Sequence, residues 1–141
     1  MTELTLTVER TINAPQEDVF NAWLKPETLQ KFMTPGPGMS VPRAETDPQA
    51  GGRFAIVMQG EGGEIPHAGT YREISPHDRI VFTWESPYSV DDSTVTLTFD
   101  TVAEGTHVVL THVRFADETA RDNHKGGWTS ILNALNAAVA A

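Results

Sequence analysis

From Leu4 to Ile12 the chain alternates, with Leu4, Leu6, Val8 and Ile12 apolar and Thr5, Thr7, Glu9 and Thr11 polar between them. That period of two is the mark of a strand with one buried face. Arg10 falls on its apolar side. Asn13-Ala14-Pro15 ends the strand, and Pro15 with Glu17 and Asp18 opens a helix, because proline presets φ and the acids sit at the positive end of the helix dipole. Val19, Phe20, Trp23 and Leu24 share one face of it. Pro26 closes this helix and starts a second short one carrying Leu29, Phe32 and Met33; Thr34-Pro35-Gly36-Pro37-Gly38 then excludes regular structure. That loop is expected at the rim of any cavity.

Six strand-like runs separated by turn residues follow, at about 41–46, 52–59, 65–74, 79–85, 93–100 and 106–114. Connections this short predict an antiparallel meander. Asp117 then caps a terminal helix in which Trp128, Ile131, Leu132, Leu135 and Val139 recur at helical spacing. One strand, two short helices, a meander and one long helix make an α+β domain spanning residues 1–141. With a single long helix to cover its apolar face, the sheet is expected to curl round that helix.

Hairpin arithmetic orients the last two strands. If Thr101 pairs with Thr106, partners sum to 207, and Phe99, Leu97 and Val95 lie across from Val108, Leu110 and His112. On that register His112 points inward; a one-residue slip would put Val109, Thr111 and Val113 inside. An inward His112 is either a structural histidine satisfied within the sheet or a polar contact to a ligand. The preceding run turns Ile80, Phe82 and Trp84 inward by the same logic, while the parity of Tyr71 stays open. Gly126-Gly127 before Trp128 admits two readings. The helix begins near residue 127, or the absent side chains permit close approach to the sheet or a ligand. Arg10 and Arg53 are read as buried partners of acids or as anchors for an acidic ligand group.

Charge and composition narrow the function. Nineteen acids against ten bases give a net charge of −9, which repels nucleic acid and anionic membranes. No run approaches the length of a membrane span, no secretory signal is visible, and a cytoplasmic setting is expected. The absence of cysteine removes disulfides and thiolate metal sites. Five histidines never fall at metal-ligand spacing, and no phosphate-binding or nucleophile motif occurs, so neither a metal nor another cofactor is expected.

Several ordered segments together carry a resemblance: Arg10-Thr-Ile-Asn-Ala-Pro15 with Val19-Phe20 and Trp23, Gly51-Gly52-Arg53-Phe54, Gly69-Thr70-Tyr71, Arg79 to Trp84, Thr111-His112 with Phe115, and His124-x-x-Gly127-Trp128. Over nearly its whole length the chain resembles the START-like (SRPBCC) superfamily, and more closely the bacterial homologues of the activator of heat-shock-protein-90 ATPase. It departs in having Phe32 where that family often has tryptophan. The resemblance implies a helix-grip fold, a curved antiparallel sheet around a long C-terminal helix with an apolar cavity between them. The expected function is binding of a small, largely apolar molecule, lined by Trp84, Trp128, His112, Phe82, Tyr71, Phe99, Leu97, Leu110 and Phe32. Two alternatives stay open. One is a cavity enzyme of cyclase or hydrolase type using His112, Glu85, Tyr71 or His67 as general acid or base. The other is a chaperone-related interaction module; a homodimer is compatible with any of them.

Overall fold

The computed structural model describes residues 4–36 and 38–140, so that Pro37 of the expected rim loop lies outside the described residues. The alternating N-terminus forms β1 (Thr5–Ile12), with Leu6, Val8 and Ile12 buried. Pro15 in extended conformation precedes α1 (Gln16–Ala22), and Pro26 opens α2 (Pro26–Phe32). The meander follows as β2 (Ser40–Thr46), β3 (Arg53–Gly60), β4 (Gly63–Ser75), β5 (Arg79–Thr83), β6 (Thr94–Val102) and β7 (Gly105–Val113). Asp117 Oδ1 accepts the Ala120 backbone N–H at 2.8 Å and so caps α3 (Glu118–Val139).

All the pairings among these strands are antiparallel, in the spatial order β1-β7-β6-β5-β4-β3-β2. The sheet curls as a half-barrel. β1 and β2 are its outer strands, and the pairing of β2 with β3 shifts register between Ser40 and Arg43, around Pro42. The β6–β7 register is the one that the hairpin arithmetic predicts: Thr101 faces Thr106, Leu97 faces Leu110 and Val95 faces His112. α3 packs against β1, α1 and α2 with Trp128, Ile131, Leu132 and Leu135 buried. Two polar contacts fix it to β1 and its exit, where the Arg10 guanidinium donates to Asn133 Oδ1 and the Asn13 N–H donates to Asn136 Oδ1. Arg10 therefore serves the helix, not an acid.

The fifth strand is shorter than its sequence run. It ends at Thr83, because Trp84 still donates to the Ser93 carbonyl at 2.7 Å while Glu85 turns back to exchange backbone hydrogen bonds with Ala68 of β4. α3 begins nine residues before Gly127, so the double glycine is helix interior and the later start does not occur. A Cβ on Gly127 would lie 3.1 Å from the Pro35 side chain, whereas Gly126 faces open space. The missing side chain thus lets the helix approach the rim loop.

β4 changes partner along its length, pairing with β3 up to Thr70 and with β5 from Tyr71 onward. Gly69 sits at this handover, where a Cβ would collide with the Thr83 carbonyl oxygen and the Phe54 ring. Neither neighbour is the free end of a flexible chain, so the sheet itself would have to move. Gly69→Ala is expected to cost about 3 kcal/mol, the upper range for overpacking, read as a lowered midpoint in urea denaturation. A midpoint within experimental error of wild type would show that the handover has slack.

Candidate functional site

The inward register of β7 delivers His112 to the centre of the molecule, where it is fully buried. The indole N–H of Trp128 on α3 donates to His112 Nδ1 at 3.0 Å, and Nε2 lies 2.6 Å from Ser93 Oγ. An indole nitrogen can only donate, so Nδ1 is the acceptor and the neutral ring carries its proton on Nε2, facing Ser93. Burial pushes the pKa of His112 down to about 3, and the neighbouring His124 acts in the same direction. The ring also packs on Phe115 at 4.5 Å and edge-on to His124 at 5.3 Å. Both ring nitrogens are engaged inside the protein, the arrangement that the structural reading of His112 requires.

Beside this buried line a cleft of about 490 Å³ opens between the N-terminal half of α3 and the inner face of β3 and β4. Trp84 and Trp128 form its deep wall, with ring centroids 4.9 Å apart, joined by Met58 and Ile131. Pro35, Gly127 and Tyr88 stand on its rim, and Tyr88 is 66% exposed. On β4 the inward parity includes Ile65, His67, Gly69 and Tyr71, and His67 tilts over Trp84 at 4.9 Å. His67 Nδ1 lies 3.1 Å from the Ile65 carbonyl, and His124 Nδ1 lies 2.7 Å from the Ala120 carbonyl. Burial lowers the pKa of His67 to about 4, outweighing the carbonyls of Ile65 and Ile56, and His124 adds to the shift. The His67 imidazole is therefore neutral at neutral pH.

The nine residues expected at a ligand site divide. Trp84 and Trp128 line the cleft. Phe82 and Tyr71 instead gather with Trp23, Phe54 and Trp84 around a residual void of only about 10 Å³, and burial pushes the Tyr71 phenol upward. Leu97, Leu110 and Phe99 are core, Phe99 meeting Phe20 edge-on at 5.3 Å, and Phe32 packs edge-on against Trp23 at 5.0 Å. None of these, nor His112, borders the cleft. The space beneath the short helices is filled with side chains, and the opening lies toward the helix N-terminus. His124, Gly127, Trp128 and Ile131 fall at i, i+3, i+4 and i+7, a spacing that reads as one helical face and was the available signal for His124.

Arg53 and Glu85 are outside. They form a solvent-exposed ion pair at 2.9 Å that holds the Glu85 carboxyl below the usual carboxylate range, with Thr83 contributing a hydrogen bond. Glu85 borders a polar depression of about 660 Å³ on the outer side of Trp84, whose wall also carries the Arg72–Asp92 contact at 3.4 Å. Its lining cation, Arg72, is already matched to a carboxylate. Among the described residues no group of three histidines or carboxylates is arranged to hold a metal ion, and no helix is long and apolar enough to cross a membrane.

The family model described as "Activator of Hsp90 ATPase homolog 1-like protein" matches residues 13–140. Among solved structures, a protein from Chromobacterium violaceum superposes with a TM-score of 0.86 at 25% identity, covering 97% of either chain. An AHSA1-like protein from Aeromonas hydrophila gives 0.83 at 22% identity, covering 96% of this chain and 91% of its own. CalU16 from Micromonospora echinospora gives 0.74 at 20% identity, with 96% and 76% covered. No curated protein sequence matches the chain.

Both inward histidines bind protons less readily in the folded state than the unfolded reference near 6.5. Their contribution to stability is complete above about pH 6.5 and is lost as the pH falls toward 4 and then 3. Chemical denaturation across that window should show stability falling by up to about 1.4 kcal/mol per pH unit for each imidazole. His112→Asn should remove one proton from this uptake and flatten the slope, besides lowering stability at neutral pH.

Proposed function

Because the chain belongs to the Activator of Hsp90 ATPase homolog 1-like family, a fold commonly used as a ligand-binding scaffold, we propose that it binds a small, largely apolar molecule in the cleft between α3 and β3–β4. The observation that carries this reading is the aromatic wall: two tryptophans buried to 3% and 2% exposure stand side by side at the base of an opening of about 490 Å³. That volume lies within the range of sites for small ligands. The affinity would come from apolar area removed from water, at about 25 cal/mol per Å². A catalytic reading has less support. Of the four residues named for acid–base work, His112 is consumed by internal hydrogen bonds, Glu85 is on the outer surface and Tyr71 is in the packed interior; His67 alone lines the cleft, with no second titrating partner hydrogen-bonded to it among the described residues.

The two tryptophans differ as probes. The Trp128 N–H is paired with His112, so Trp128→Phe leaves a buried acceptor unmatched at a cost of about 1 to 3 kcal/mol. The buried Trp84 N–H has no partner among the described residues, so Trp84→Phe is expected to change stability by less than about 1.5 kcal/mol. Titration with the neutral dye N-phenyl-1-naphthylamine should give saturable binding to the wild type and roughly tenfold weaker binding to Trp84→Phe, the factor set by about 1.4 kcal/mol of lost ring contact. A wild-type protein that shows no saturable uptake of this dye or of naphthalene derivatives would overturn the proposal.

A further inference from the structure

The walls of the cleft are largely apolar, but two imidazoles, His67 and His124, are set among them. His67 projects from β4 against Trp84, and its Nδ1 faces the carbonyl oxygen of Ile65 at 3.1 Å. A carbonyl oxygen only accepts, so that contact places the proton of the neutral ring on Nδ1 and leaves Nε2 as a lone-pair acceptor. The same construction recurs across the cleft. His124 Nδ1 faces the Ala120 carbonyl at 2.7 Å, so the neutral form of that ring also presents Nε2 as an acceptor. Among the described residues no hydrogen bond of either Nε2 is found within the protein, the Ile65 and Ile56 carbonyls both lying on the backbone side of the His67 ring. The one carboxylate on the cleft wall, Asp117, is held at the start of α3 by the Ala120 N–H on Oδ1 and adds negative charge to the rim.

Resting on the binding reading above, we infer that the cleft selects uncharged planar apolar molecules that carry a hydroxyl donor, received by Nε2 of His67, over carboxylates of the same shape. Aromatic faces on Trp84 and Trp128 suit a flat ring system. A neutral imidazole offers a carboxylate no compensating charge, and a chain carrying −9 repels it from a distance. A hydroxyl group gains its hydrogen bond without bringing a charge into the apolar cleft.

Three ligands of nearly equal size separate the terms: 2-naphthol, 2-methylnaphthalene and 2-naphthoate, each titrated calorimetrically into the full chain at neutral pH. The expected order is 2-naphthol first, about five- to tenfold tighter than 2-methylnaphthalene, as one hydrogen bond allows, with 2-naphthoate weakest. His67→Phe should abolish the preference for 2-naphthol while retaining 2-methylnaphthalene, and His67→Gln, which keeps an acceptor, should restore part of it. Should His67→Phe fail to fold, nitrogen-15 NMR of the wild type gives an independent reading, in which His67 Nε2 shifts on adding 2-naphthol and not on adding 2-methylnaphthalene. Equal affinities for all three, or tightest binding of 2-naphthoate, would overturn this inference while leaving a site for apolar molecules in place. No binding of any of the three would overturn the binding reading with it.

Discussion

One buried imidazole joins the N-terminal half of α3 to the middle of the sheet. His112 receives the Trp128 N–H from α3 on one nitrogen and meets Ser93 with the other, so three successive segments, separated by 19 and 16 residues, converge on one buried ring. Each of those polar groups would cost about 1 to 3 kcal/mol if buried without its partner. The hydrogen bonds therefore act mainly by making alternatives expensive: a helix rotated by one residue, or a strand slipped by one, would strand a donor and an acceptor in the core. Apolar contacts around Leu97, Leu110 and Leu135 supply burial but tolerate more rearrangement.

The cleft follows from how the helix is held. The middle and C-terminal parts of α3 are committed to the core through Ile131, Leu132 and Leu135, and Arg10 and the Asn13 amide tie it to β1 and its exit. Toward its N-terminus the only deeply buried side chain is Trp128, and Gly127 brings the backbone against Pro35. The helix thereby leans on the rim loop while the inner face of β3–β4 is left partly uncovered. Trp84, just past the end of β5, turns into that gap and gives it an aromatic base.

Much of this was legible in the chain because it rests on period and pairing. Alternation located β1, and the sum of 207 placed His112 opposite Val95 inside the sheet. The family pattern supplied the global arrangement. Where the space lies was less accessible. Phe82, Tyr71 and Phe99 have the same inward parity as Trp84, and parity does not report whether an inward side chain meets a neighbour or an opening. That depends on α1 and α2, whose Trp23, Leu29 and Met33 fill the region beneath Tyr71 and Phe82. His67 posed a related difficulty. Its parity follows that of Tyr71, and β4 pairs with two different strands with a register shift beyond Tyr71.

The open edges of the half-barrel bear on how copies of the protein can meet. An outer strand normally offers a ladder of amide donors and carbonyl acceptors on which another chain can build. On β2 that ladder is interrupted: Pro42 has no amide proton, the register shifts around it, and Arg43, paired with Glu64 at 2.8 Å, adds charge to the same stretch. A strand arriving from a second molecule would meet a missing donor and an ion pair to desolvate. The sheet is thereby protected along that side from growing into a continuous intermolecular sheet.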